Sequence, residues 1–180
     1  MKYLVVSDIH GVKAGAEAVV ESARYHSPDA ILCLGDVLYH GPRNGVPEGY
    51  DPIAVIDLLN PLYHKMIAVR GNCDAEVDQM VLDFPITADY NVLDMNGRRV
   101  IMSHGHVYSP DHTPKMEPGD VFISGHTHLL TAVEKDGCYY LNPGSVSLPK
   151  GGNPATYGVL DETGFTVYTL DHKEFTKVTF

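Results

Sequence analysis

Seven residues with the side chains of metal ligands are spread through this sequence: Asp8, His10, Asp36, Asn72, His104, His126 and His128. The set mixes oxygen and imidazole donors and contains no thiolate. Such a mixture suits Mn2+, Fe or Zn2+ better than a cysteine-rich structural zinc site or an all-oxygen calcium site. Seven donors are too many for one small cation and fit two that share a carboxylate. Two cations held roughly 3.5–4 Å apart can clamp a phosphoryl group and hold a hydroxide for in-line attack. Phosphate esters are anionic and repel hydroxide, and paired cations relieve that repulsion. Taken singly, a strand-end turn explains Asp8 and His10, and a helix-approach acid explains Asp36. The metal reading rests on their recurring in one kind of place.

That place is the end of a strand. Lys2 to Ser7 reads as a buried strand broken by Asp8-Ile9-His10-Gly11, and Ala30 to Leu34 as a second, stopped by Gly35-Asp36. Lys65 to Val69 is a third, followed by Arg70-Gly71-Asn72-Cys73-Asp74. Between and after them the spacing of apolar residues predicts helices over Val12 to Tyr25, Pro52 to Leu59 and Asp74 to Asp83. Alternating strands and helices favour a parallel sheet, whose reactive groups gather beyond the C-terminal strand ends. After Pro85 the texture becomes β-rich, with hairpins around Asn96-Gly97 and Asp136-Gly137 and strands ending at Ser103-His104 and Asn142. Val121-Phe122-Ile123 leads into Ser124-Gly125-His126-Thr127-His128. In extended backbone, side chains two apart leave on one side, so His126 and His128 are expected to reach a single small volume. The last strands run through Thr156 to Leu160, Phe165 to Leu170 and Phe175 to Val178. A second sheet packed on the first, with helices outside, accommodates them all in one domain over residues 1–180.

Composition narrows the function. The net charge of −10 opposes a broad nucleic-acid or membrane surface, both of which need basic patches. It leaves room for an anionic substrate, because bound divalent ions reverse the field locally. Ten histidines against 13 lysines and arginines lean toward metal chemistry. No apolar run is long enough to span a bilayer, and Met1-Lys2 runs straight into a short strand without the pattern of a signal peptide. Three scattered cysteines, Cys33, Cys73 and Cys138, argue for a reducing compartment. The expected location is the cytoplasm.

In order, Asp8-Ile9-His10, Gly35-Asp36, Gly71-Asn72-Cys73-Asp74, His104-Gly105-His106 and Gly125-His126-Thr127-His128 resemble the motifs of the calcineurin-like metallophosphoesterase superfamily. Gly35 to Asn44 and Asn142 to Val146 extend the similarity toward its small bacterial YfcE-type phosphodiesterases. The resemblance implies a four-layer α/β/β/α sandwich of two mixed sheets flanked by helices. It implies two divalent cations, foremost Mn2+ with Zn2+, Fe or Ni2+ as substitutes. Asp8, His10 and His128 would hold one, Asn72, His104 and His126 the other, and Asp36 would bridge them. The implied activity is phosphodiester hydrolysis of a small substrate, with Asp36, Asn72 and His104 catalytic and no stable nucleic-acid complex or membrane partner. Relatives are often homo-oligomers, which implies a dimer or tetramer. Rival readings are a phosphomonoesterase or cyclic-nucleotide hydrolase of the same superfamily, and a binding scaffold like the retromer subunit that shares the fold.

Many superfamily members carry histidine directly after the metal-binding asparagine, where this chain has Cys73. A thiol donates weakly and cannot become a cation, so acid assistance to a leaving group there is poor. That favours diesters with good leaving groups. Arg43, Asn44, Cys73 and His106 are candidate substrate contacts, each balanced against ordinary loop chemistry. Asn142 to Ser145 is a candidate for shaping the pocket. His26, His64, His112 and His172 are expected at the surface. Lys150-Gly151-Gly152 lacks the spacing of a phosphate-binding loop, and no serine or cysteine nucleophile is needed.

Overall fold

Apolar strands without polar alternation require cover on both faces, and the first strands of this chain receive it. The computed structural model describes residues 1–180. Its elements are β1 (Lys2–Val6), α1 (Lys13–His26), β2 (Ala30–Cys33), α2 (Pro52–Leu59), β3 (Met66–Ala68), β4 (Tyr90–Met95) and β5 (Arg98–Ser103). Then come β6 (Val121–Ile123), β7 (Thr131–Lys135), β8 (Cys138–Asn142), β9 (Thr156–Asp161), β10 (Gly164–Thr169) and β11 (Glu174–Thr179). One sheet runs β11-β10-β9-β1-β2-β3 and the other β4-β5-β6-β8-β7. Both are mixed: β1, β2 and β3 are mutually parallel while β9 lies antiparallel to β1, and β5, β6 and β8 are parallel between antiparallel edges.

The period-2 pleat divides β1 and β2 between two cores. Tyr3, Val5, Leu32 and Leu34 face the second sheet, where they meet Val100, Met102, Val121, Ile123 and Leu141. Leu4, Val6, Ile31 and Cys33 face the opposite way, onto Ala16 and Val19 of α1 and Val55 and Leu59 of α2. Both α-helices belong to the first half, and the chain after residue 80 adds only strands and loops. α2 starts where expected because the Asp51 carboxylate accepts from the Ala54 N–H and Pro52 occupies the first turn. α1 ends at Ser27, which adopts the left-handed conformation ahead of Pro28.

One expected element does not form. Residues 74–83 make only a single 3₁₀ turn at Asp78–Met80. Val77 and Met80, apolar residues that the expected helix would carry, are 61% and 82% exposed. Other bonds take the segment's polar groups: Gln79 ties Leu82, Phe84 and Ile86, and Asp74 is drawn into the strand-end turns. No helix is long and apolar enough to cross a membrane.

Candidate metal centre

The strand-end residues meet at the carboxyl edge of the parallel strands, where the fold places such groups. Three overlapping sets of possible ligand atoms arise there, one of them His10, Asp36 and Cys73, which links the other two. Of those two, Asp8, His10 and His128 make the first, and Asp36, His104 and His126 make the second. Asn72 joins the second, its Oδ1 standing 3.1 Å from His104 Nε2. A single oxygen, Asp36 Oδ2, lies 3.6 Å from His10 Nε2 and 3.4 Å from His104 Nε2. It therefore reaches both sets. Asp8 Oδ1 stands 3.3 Å from His128 Nε2 and 3.7 Å from His10 Nε2.

Backbone strain marks the same residues. Asp8, His10, Asp36, His126 and His128 all have φ between 52° and 66°, the left-handed region that side chains other than glycine rarely enter. Such conformations cost of order 1–3 kcal/mol each and persist where the surroundings over-determine them. This overturns the reason given for pairing His126 with His128. Their backbone is not extended, and the two rings serve adjacent sets rather than one volume.

Backbone carbonyls fix the tautomers of three rings. Nδ1–H of His10 donates to Tyr39 O at 2.9 Å, that of His104 to Leu34 O at 2.7 Å, and that of His128 to Leu148 O at 2.6 Å. Each ring is left with Nε2 facing the cluster, as a metal ligand requires. Asp8 is oriented by the Ser7 hydroxyl at 2.6 Å and the His126 N–H at 3.0 Å, both on Oδ2. Its other oxygen, Oδ1, is buried without any hydrogen-bond partner. An orphaned carboxylate oxygen among neutral-capable imidazoles is costly unless something positive sits there, so the residues present fit a cation.

The electrostatics agree with one another. Burial alone would raise Asp8 and Asp36, yet the imidazoles of His10 and His128 facing it hold Asp8 well below the usual carboxylate range, and His104 lowers Asp36 in the same way. Burial alone would lower His104, but Asp36 and the charge of Asp8 push it up to about 9. His126 and His106 are held low by burial and by the charge of His104.

Residues outside the seven ligand candidates complete the frame. Asp74 accepts from the N–H groups of Asp36 (2.8 Å), Val37 (2.8 Å) and Gly71 (2.7 Å). It thereby joins the turn carrying Asp36 to the turn carrying Asn72. A Cβ on Gly71 would meet Asp36 Oδ1 at 2.1 Å, and one on Gly125 would meet Ser7 Oγ at 1.9 Å, so both positions need glycine for close approach. The Asn142 side chain bonds Gly125 O, and the Ser145 hydroxyl bonds Asp8 O, so that turn buttresses the centre from behind. Asp74→Asn is expected to lower divalent-metal affinity about 10–100-fold while the protein stays folded. Calorimetric titration beside a melting curve checks both halves.

Among the candidate substrate contacts, His106 is exposed with its ring centroid 5.4 Å from that of His104. Cys73 lies beside Asn72, whose amide donates to its sulfur at 3.2 Å. Asn44 spends its amide on His40 O at 2.8 Å, which holds the loop rather than a ligand. Arg43 is exposed and joins no ion pair. His64 and His112 are exposed as expected, but His26 and His172 are half-buried against Tyr157.

Metal-ligand clusters at the carboxyl edge of a two-sheet sandwich define a metal-dependent hydrolase class, and sequence comparison agrees. Residues 1–164 match the calcineurin-like phosphoesterase superfamily domain, and the chain belongs to that family. It is 48% identical to the phosphodiesterase YfcE of Escherichia coli over 95% of this chain and 93% of that one. The solved structure of YfcE from Escherichia coli superimposes with a TM-score of 0.96 at 47% identity, covering 99% of each chain. A Vps29 variant from Entamoeba histolytica matches with a TM-score of 0.65 at 23% identity, over 100% of this chain and 99% of that one. That likeness is one of fold alone.

Proposed function

We propose that this protein is a metal-dependent phosphodiesterase of small substrates, acting in the cytoplasm with two divalent cations, foremost Mn2+. The observation that carries the reading is Asp36 Oδ2, one carboxylate oxygen within reach of His10 on one side and His104 on the other. Asp8, His10 and His128 would hold one ion, and Asn72, His104 and His126 the other, with Asp36 between them. Bound there, the ions supply positive charge to the phosphoryl oxygens and make hydroxide available near neutral pH.

The protein's own groups do the rest by position. The carbonyls of Tyr39, Leu34 and Leu148 hold the Nδ1–H groups of His10, His104 and His128 and so aim their Nε2 atoms at the centre. Ser7 and the His126 N–H leave Asp8 a single free oxygen. The exposed His106 ring, beside His104, and Cys73, beside Asn72, are the side chains offered to a substrate in this reading. Burial and Asp36 push the Cys73 thiol up to about 12. It keeps its proton and stays neutral, so a departing alkoxide gains little help from it. Diesters with good leaving groups are the favoured class. The acidic net charge of −10 weighs against long polyanions.

Hydrolysis of matched aryl mono- and diesters with added Mn2+ tests the reading. Diester turnover well above monoester turnover is expected, and the reverse ratio would make the protein a phosphomonoesterase. Cys73→His is expected to raise the rate on poor leaving groups by about 100-fold, the lower end of what general acids contribute. Rates across a series of leaving-group pKa values measure it as a flatter dependence.

A further inference from the structure

We propose that His26, Tyr157 and His172 form a further cation site, separate from the paired centre, that takes a late first-row divalent ion of the Zn2+ type. The three residues come from the last turn of α1, from β9 and from the turn joining β10 to β11. They converge on one atom. His26 Nε2 lies 2.8 Å from the Tyr157 hydroxyl, and His172 Nδ1 lies 2.8 Å from the same oxygen.

The donor set is two imidazoles and a phenol, which suits zinc, nickel or copper rather than magnesium or calcium. With bonds of about 2.0–2.2 Å, donors around a tetrahedral ion stand roughly 3.3 Å apart. Each ring would retreat by about half an ångström, and both rings are only half-buried. In the paired centre the corresponding spacing, His10 Nε2 to His128 Nε2, is 3.2 Å.

One feature points to an occupant rather than a closed hydrogen-bond cluster. Ser22, 1% exposed, lies close enough to influence the phenol, yet its hydroxyl has no hydrogen-bond partner. An ion takes the three lone pairs together, and the phenolate oxygen can then accept from Ser22. Behind His172, Glu21 Oε1 stands 3.7 Å from Nε2, the arrangement of a carboxylate that orients a ligating ring and leaves Nδ1 forward. Burial and the charges of His172 and Lys2 hold His26 low, in the neutral form that ligates. Burial pushes Tyr157 up to about 12. Binding therefore exchanges the phenol O–H bond for an O–metal bond and sends that proton to solvent, with nothing oxidised or reduced.

The bound ion would tie the β10–β11 turn, where His172 has φ 63°, to the end of α1. Equilibrium dialysis against buffered free Zn2+ with elemental analysis tests the proposal. His26→Gln and His172→Gln should each hold one zinc fewer per chain than the parent. Both should retain metal-dependent hydrolysis, since neither residue belongs to the paired centre. Tyr157→Phe, which removes only the oxygen, should lose the same equivalent. The difference of one ion should persist in an Asp36→Asn background, so the result stands apart from the assignment of the paired centre. Equal zinc content in the parent and in either histidine variant overturns the proposal and leaves the three side chains a hydrogen-bonded clasp.

Discussion

Asp36→Asn is expected to lower phosphodiester turnover by on the order of 10³-fold or more, with a much smaller effect on the melting temperature. The carboxylate offers one oxygen, Oδ2, to both ligand sets, at 3.6 Å from His10 Nε2 and 3.4 Å from His104 Nε2. The other oxygen is already engaged, accepting from the Cys73 N–H at 2.8 Å. An amide keeps one acceptor, and whichever way it turns, one of these duties goes to an NH₂ group. If the oxygen stays toward the ligand sets, a neutral carbonyl replaces a bridging charge and the NH₂ confronts a backbone N–H. If it turns the other way, two donors point at the cations. Both outcomes uncouple the subsites, so metal stoichiometry should fall with turnover. Size and shape are nearly conserved, which is why stability changes little. Near-normal rates, or two tightly bound ions in the variant, would remove Asp36 from the bridging role.

How much of this was legible in the sequence varies by kind of residue. The seven ligand candidates could be found because each ends an apolar run, and apolar runs with polar stops are a signal carried by residue type. Their conformations could not. Nothing in Asp8, His10 or Asp36 as residue types announces φ values of 57°, 52° and 57°; these are imposed by the turns around them, such as the bonds from Asp8 N to Gly35 O and from His10 N to Asp36 O. The period-2 argument for His126 and His128 failed for that reason. It assumed a strand where the chain had already left one.

Other misses have a common cause in long-range contact. The carbonyls of Leu34, Tyr39 and Leu148 orient three imidazoles, but every residue has a carbonyl, so no pattern reveals which are used. Asp74 stands first in the helix expected over residues 74–83; its carboxylate instead collects three N–H groups from two separate turns, and the helix is lost. His26 and His172 lie near opposite ends of the chain and meet only because β9 and β10 pair beside β1. Apolar spacing located α1, α2 and most strands well, since burial on a periodic face is a local property of sequence.

Chelated protein is expected to lose stability as pH rises from about 6.5 to about 9, and protein supplied with Mn2+ is not. His104 is the cause. Its Nδ1–H is donated to Leu34 O, so any added proton sits on Nε2, between Asn72 Oδ1 at 3.1 Å and Asp36 Oδ2 at 3.4 Å. Burial opposes that charge, but Asp36 and Asp8 outweigh it and raise the group to about 9, against about 6.5 for an unfolded histidine. A raised pKa stabilises the folded state fully below the unfolded value and ceases to do so above the folded one. The contribution at stake is on the order of 3 kcal/mol, or several degrees in melting temperature for a chain of this length. A cation on Nε2 displaces the proton and removes the dependence. The melting-temperature gap between Mn2+-supplied and chelated protein should therefore widen between pH 6.5 and pH 8.5, with protons released on metal addition at neutral pH. Scanning calorimetry across that range decides the matter. A gap that stays constant means that His104 is not where the second ion binds, and the dimetal reading loses one of its ligands.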